Sequence, residues 1–154
     1  MNNLKKINDK GFSLIELIVV IAIMVVLVAI LSPVFTRFIE QGRRATDVTN
    51  ANTLASAILI DIESGEFESK STPKTDPASS PTNIDKDEFP SIGSVPDVQS
   101  SDYSSTCQFQ YAYNKNNHTV AITLTGHDFD LTDPDVAEDY KNGDEADSSS
   151  NGGN

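Results

Sequence analysis

The sequence predicts an α+β fold, in which one long N-terminal α-helix packs on a small antiparallel β-sheet. Three observations predict it: an uninterrupted apolar run near the N-terminus, an amphipathic helical pattern after it, and two alternating segments separated by turn residues. The first half of the helix has the character of a membrane span. Because much of the apolar content of the 154 residues lies in that half, we expect a single small domain leaning on the helix.

The apolar run covers residues 17–31 without a break, and no charged residue lies between Glu16 and Arg37. As a helix, residues 12–31 are about 30 Å long, which is the hydrocarbon thickness of a bilayer. An ionised carboxylate in hydrocarbon costs about 2.5–3.5 kcal/mol. Glu16 therefore either awaits a positive partner or lies near the headgroups, where water reduces this cost. The residue pattern leaves both interpretations open.

A short basic leader ends in Gly11 and is followed by Phe12, by Ser-Leu-Ile-Glu and by the apolar run. This arrangement resembles the class III signal of type IV pilins and pseudopilins. The resemblance implies that a prepilin peptidase removes residues 1–11, cutting between Gly11 and Phe12, and then methylates the new N-terminus of Phe12. It also makes Phe12, Glu16 and Pro33, in the membrane-embedded helix of residues 12–33, the expected assembly residues.

The function that the resemblance implies is structural and not enzymatic: a subunit of a type IV pilus that leaves the membrane for a helical surface filament. The implied partners are copies of the chain or other pilins, the prepilin peptidase, a platform protein, an assembly ATPase and the membrane. The leader would lie in the cytoplasm and the assembled pilus outside the cell. A net charge of −12 argues against direct binding of nucleic acid.

Two charges explain why the family needs these residue types. Cleavage creates an amine on Phe12 that is positive near neutral pH, and this amine can pair with Glu16 of a neighbouring subunit. Each charge is costly alone in a dry core and the pair is less so, which makes Glu16 a device that sets the axial register. Glu16 can also act within its own subunit, by aligning the N-terminus for methylation.

Two alternatives to a pilus subunit are compatible with the apolar helix. A pseudopilin of a type II secretion or competence (DNA-uptake) apparatus shares the N-terminal pattern. A membrane-anchored binding or enzymatic domain instead predicts no cleavage after Gly11 and tolerance of Glu16→Gln.

Residues 34–64 are predicted to continue the helix as an amphipathic half that ends at Ser64. Pro33 and Gly42 favour a kink or local melting between them, with an uninterrupted helix as the alternative. The predicted sheet-facing stripe consists of Phe38, Gly42, Ala45, Val48, Ala55, Ile58 or Leu59, and Ile62. The predicted polar surface consists of Arg37, Glu40, Arg43, Arg44, Asp47 and Asn50.

Residues 65–107 read as a connecting loop rich in serine and proline. Cys107 is the only cysteine, so no intrachain disulfide can form. Residues 108–125 alternate in the manner of an antiparallel hairpin around an Asn-Lys-Asn-Asn turn. A third strand is expected from near Ile84 or from residues 129–131, because a two-stranded hairpin is only marginally stable.

The C-terminal part is predicted to be an acidic loop within the sheet region of residues 108–140, followed by a disordered acidic tail over residues 141–154. Clustered carboxylates raise a calcium hypothesis, although their spacing is not that of an EF-hand, and a solvated loop without any cofactor is the preferred interpretation. The calcium candidates are Asp128, Asp130, Asp133 and Asp135.

Overall fold

The computed structural model describes residues 11–67, 80–103 and 106–144. The predicted α+β class is confirmed: a long helix is followed by a small antiparallel sheet and a short second helix. The chain divides into two compact units, one ending at Phe38 and the other beginning at Ile39. In chain order the elements are α1 (Leu14–Ser64), β1 (Thr82–Asn83), β2 (Phe109–Asn114), β3 (Thr119–Leu124) and α2 (Pro134–Asn142).

Helix α1 runs for 51 residues and contains Pro33. Proline removes one backbone hydrogen bond from a helix interior, yet the helical assignment is unbroken on both sides of it. The Thr36 hydroxyl donates to the Pro33 carbonyl at 3.0 Å. Of the two sequence-based alternatives, the structure has the uninterrupted helix and not a melted segment between Pro33 and Gly42.

The sheet has the strand order β1-β2-β3, with both pairs antiparallel. The hairpin is as predicted, with Phe109 opposite Leu124 and Asn114 opposite Thr119. The third strand comes from near Ile84, because Thr82 lies opposite Tyr111. Beyond the outer edge of β3, the backbone N–H of Leu131 donates to the Ile122 carbonyl at 2.8 Å. This contact lies in the other segment that the sequence offered as a third strand, although the segment is not assigned as one.

The core of the second unit lies where alternate hairpin residues meet the buried face of α1. The alternation predicts this face correctly, and burial of each large apolar side chain is worth roughly 1.5–3 kcal/mol. Ile58 is buried as expected, but the centre of the stripe passes through Ala51 and Leu54, which the predicted stripe omits. The buried apolar hairpin residues are Phe109, Tyr111, Tyr113, Val120, Ile122 and Leu124.

Helix α2 corrects the predicted acidic loop. The Asp133 carboxylate caps its N-terminus by accepting from the N–H groups of Asp135 and Val136, with Pro134 in the first turn. Gly143 ends it in the left-handed region, at φ +83°. The prediction of a loop is therefore wrong for residues 134–140, and that of disorder is wrong for residues 141 and 142. Residues 145–154 of the predicted tail, like residues 1–10 of the predicted leader, lie outside the described residues.

Candidate processing and assembly site

The predicted cleavage point lies in the short non-helical segment before α1. Gly11, Phe12 and Ser13 precede the first helical residue, Leu14. The Phe12 side chain is 92% exposed. A Cβ added to Gly11 would meet no atom within 4 Å. The packing of the described residues therefore does not require glycine at position 11.

Glu16 caps the start of the same helix. Its Oε2 accepts a hydrogen bond of 2.8 Å from the backbone N–H of Ser13, the residue before the helix. This is the backward half of a capping box, and a carboxylate in the first turn also complements the positive end of the helix dipole. Neither sequence-based interpretation of Glu16 includes this contact. In the single chain the carboxylate is therefore close to the residue that cleavage would make the second of the mature protein.

The helix that begins at Leu14 carries an unusually apolar surface. An 18-residue window has a mean hydropathy of 3.4, with none of that window buried, so the helix is long and apolar enough to cross a membrane. The exposed side chains include Ile18, Ile21, Met24 and Leu27, and further along Phe35. A surface of this kind requires cover from lipid or from other helices.

A set of carboxylates in the second unit binds groups of a distant loop. The sequence pattern places two of them, Glu40 and Asp47, on the polar surface and does not single out the third, Asp61. Glu40, Asp47 and Asp61 occur on α1 at spacings of seven and fourteen residues, close to whole numbers of helical turns. Asp47 and Asp61 are fully buried, so assigning Asp47 to the polar surface is wrong. We call these three carboxylates and the loop groups bound to them the polar seam.

The polar seam fastens the loop between β1 and β2 to α1. Asp61 accepts from the backbone N–H of Ser91 at 2.9 Å and from its hydroxyl. Asp47 accepts from the N–H groups of Gln99 and Ser100 at 2.7 and 2.9 Å. Later residues of the loop bind earlier residues of the helix. This part of the loop therefore runs along α1 towards the N-terminus of the helix.

Glu40 completes the polar seam. It accepts from the hydroxyls of Ser100 and Ser101, both at 2.6 Å, and from the Ser101 N–H at 2.9 Å. Arg44 lies 3.6 Å from it on the next helical turn. Burial raises the pKa of Glu40, but these hydrogen bonds and the Arg44 charge outweigh burial, so the pKa lies below 4.5. Glu40 is therefore a charged anchor for the loop at neutral pH.

The end of α1 is tied to the hairpin by a smaller polar cluster. The Tyr113 hydroxyl donates to Glu63 Oε1 at 2.9 Å, and Nδ1 of His118 lies 2.7 Å from the same oxygen. Hydrogen bonds from His118 and Tyr113 lower the pKa of Glu63 below 4.5. His118 adopts φ +55° in the turn between β2 and β3. The turn is thus held against the helix.

The four calcium candidates do not converge. Asp130 accepts from the N–H groups of Ile122 and Thr132 and from the Thr132 hydroxyl, and Asp133 is the cap of α2. Two of the four carboxylates therefore have structural hydrogen bonds of their own. Over residues 11–67, 80–103 and 106–144, no group of three or more histidine, cysteine, aspartate or glutamate side chains is placed to hold a metal ion.

Comparison with known proteins finds similarity to one family model and to two fimbrial proteins. Residues 6–32 match the family model described as the prokaryotic N-terminal methylation motif. Two proteins of Dichelobacter nodosus, each named "Fimbrial protein", are 37% identical over 71 residues, which is 46% of this chain and 42% of each relative. The similarity to these relatives thus spans less than half of their length. No solved structure matches the chain.

Proposed function

We propose that the chain is a member of the type IV pilin and pseudopilin family and a structural subunit of a type IV pilus, on the support of the methylation-motif match and the two fimbrial relatives. In this proposal it is made as a precursor, cut between Gly11 and Phe12 by a prepilin peptidase and methylated on Phe12. It is then drawn from the membrane into a helical surface filament. A platform protein and an assembly ATPase would drive that step, and neighbouring copies of the chain or other pilins would surround it.

The observation that carries this proposal is that three features follow one another closely in the chain: the Gly11–Phe12 bond, Glu16 and the apolar helix. The methylation-motif match over residues 6–32 includes the non-helical Gly11–Phe12 bond, and Glu16 lies in the first turn of the apolar helix that follows. An ordinary membrane anchor needs the apolar helix but neither the exposed bond before it nor the carboxylate within it. The three together support processing followed by self-association.

The apolar helix supports the self-association step. Its exposed surface is compatible with lipid before assembly and with other helices of the same kind afterwards. Once Phe12 is the N-terminus, its amine is positive near neutral pH. A neighbouring Glu16 can neutralise that amine only at the axial offset that brings the two groups together, so a wrong offset leaves two unpaired charges among apolar side chains.

The processing step is tested by mass spectrometry of the intact protein isolated from its native host. We expect a mass that lacks residues 1–11 and carries one methyl group, with fragment ions that place the methyl on the amine of Phe12. Retention of the eleven leader residues would overturn the proposal as a whole. Cleavage without methylation would overturn only the methylation step.

A pseudopilin of a type II secretion or competence apparatus is the second candidate, because the methylation motif is shared by both classes of subunit. Electron microscopy of sheared surface material, labelled with an antibody to residues 66–154, separates the two. Abundant long fibres along which the antibody binds support a major pilin. Processed protein that stays in the membrane fraction, without labelled fibres, favours a pseudopilin or a minor pilin.

A further inference from the structure

Tyr140 attaches helix α2 to α1. This side chain is 2% exposed, and its hydroxyl donates to Oδ2 of Asp47 at 3.0 Å. Its backbone carbonyl accepts from Nη1 of Arg44, also at 3.0 Å. The Arg44 guanidinium carbon lies 5.7 Å from the centre of the Tyr140 ring, within the range of a cation–π contact. Two residues of α1 thus hold α2 by its last turn.

The same two residues hold the loop before β2. Asp47 accepts from the N–H groups of Gln99 and Ser100, and Arg44 pairs with Asp102. The rings of Tyr103 and Tyr140 stack with their centres 5.7 Å apart. The loop and α2 therefore share their anchors on α1 and touch each other.

We propose that Arg44, Asp47 and Tyr140 form a non-covalent latch, which fastens α2 and the 97–102 loop to α1 and lets these two elements open together while the sheet stays folded. Proteins open locally in cooperative units smaller than a domain, and hydrogen bonds in a buried polar network strengthen one another. With one cysteine in the chain, no intrachain disulfide can hold the C-terminal region, and the latch performs this task.

The burial of the Tyr140 hydroxyl agrees with its role as a hydrogen-bond donor in the latch. Burial and the neighbouring Asp47 charge raise the pKa of Tyr140 far above 10, so the hydroxyl remains a donor at any physiological pH. Asp47 accepts hydrogen bonds from both elements, one from α2 and two from the loop. Removing a single donor should therefore weaken the attachment of both elements.

Hydrogen–deuterium exchange of the full-length chain in detergent, followed by mass spectrometry, tests the latch. Tyr140→Phe keeps the ring and removes the hydroxyl. A hydrogen bond to a charged group is worth about 1.5–3 kcal/mol, so we expect exchange in α2 and in residues 97–102 to accelerate together by about tenfold or more, with β2 and β3 unchanged. Tyr103→Phe is the matched control, since it removes a hydroxyl from the same stack without touching Asp47.

Three results would overturn the proposal: acceleration of α2 without the loop, equal acceleration of α2 and the sheet, or no difference between Tyr140→Phe and Tyr103→Phe. Gly143→Ala tests the Arg44 side independently, because a Cβ there would lie 2.7 Å from Arg44 Nη1. Gly126→Ala is its control, having a similar φ of +82° and no atom within 4 Å of the added Cβ. We expect Gly143→Ala, and not Gly126→Ala, to open α2 and the loop; equal effects would contradict the role of Arg44.

Discussion

The carboxylate of Asp61 binds Ser91 twice, through the backbone N–H at 2.9 Å and through the hydroxyl. The two residues are 30 positions apart in the chain, and Asp61 is completely buried. Two donors from one residue satisfy much of a carboxylate that would otherwise be costly to bury. The contact therefore fixes where the loop before β2 packs against the C-terminal end of α1.

Replacing Asp61 by alanine should destabilise the globular unit by about 3–5 kcal/mol, because it leaves the N–H of Ser91 without its acceptor and opens a cavity. Ser91→Ala, which removes only the hydroxyl, should cost about 1–2 kcal/mol. Chemical denaturation of the full-length chain in detergent, followed by circular dichroism, measures both. Equal losses in the two variants would show that the backbone N–H contact contributes nothing.

Lowering the pH should weaken the polar seam through Glu40. The pKa of Glu40 is lower in the folded chain than its ordinary value of 4.5. Its contribution to stability is therefore present above pH 4.5 and is lost as the pH falls through the folded pKa. We expect Glu40→Gln to flatten the fall in stability as the pH drops below 4.5. Thermal unfolding across this range measures it, and identical pH profiles of the variant and the wild type would contradict the prediction.

The cap of α2 offers a local test. Asp133→Ala should reduce stability by about 0.5–2 kcal/mol, since the N–H groups of Asp135 and Val136 lose their acceptor. Asp128→Ala is the control, because this exposed residue lies before the helix and outside the cap. Differential scanning calorimetry compares the two. A loss at Asp128 as large as at Asp133 would indicate a shared role, such as ion binding, in place of capping.

Gly11→Ser should impair removal of the leader. The chain itself tolerates a side chain at this position, because nothing lies within 4 Å of an added Cβ. Any loss of cleavage would then reflect recognition by the peptidase and not a change in the fold. Immunoblotting resolves precursor from mature chain in the native host. An unchanged proportion of mature chain would count against the proposed cut site.

Glu16→Ala should give a processed chain that remains in the membrane and enters filaments poorly, with a reduction in sheared fibres of tenfold or more. Loss of the hydrogen bond to Ser13 alone should cost about 1 kcal/mol. This is small compared with the free energy that holds so apolar a helix in the membrane, so the chain should remain there. Glu16→Gln separates charge from capping, because the amide oxygen still accepts from Ser13. Normal fibre yield in the glutamine variant would remove the charge-pairing argument.

The sequence of α2 contains residues typical of the start and the end of a helix, although its acidic composition favours a loop. Asp133, Pro134 and Gly143 are an N-cap, a first-turn proline and a C-cap at the correct spacing. The many carboxylates of the segment favour a solvated loop instead, and the structure corrects that prediction. A helix of nine residues is marginal by itself, and what stabilises this one is the burial of Tyr140 against partners distant in sequence.

The polar seam was less accessible to sequence reasoning. Glu40, Asp47 and Asp61 share a helical face with the buried Leu54, which is spaced seven residues from both aspartates. Such a pattern places the carboxylates beside the core but does not say what meets them. Their partners are backbone and hydroxyl groups in a loop 30 to 61 residues away, and the serine-rich composition of that loop favours solvent as much as burial.

The sequence by itself determined the apolar helix, the Gly11–Phe12 motif with Glu16 in register, and the hairpin, since each depends on residues close together in the chain. Helical and strand periodicity and side-chain charge are local properties that need no knowledge of the fold. Only the tertiary structure decided that Asp47 and Asp61 are buried anchors, and that Tyr140 ends an ordered helix. A carboxylate or a hydroxyl is stable in the interior only where a distant segment supplies its partner, and that meeting is a property of the folded chain.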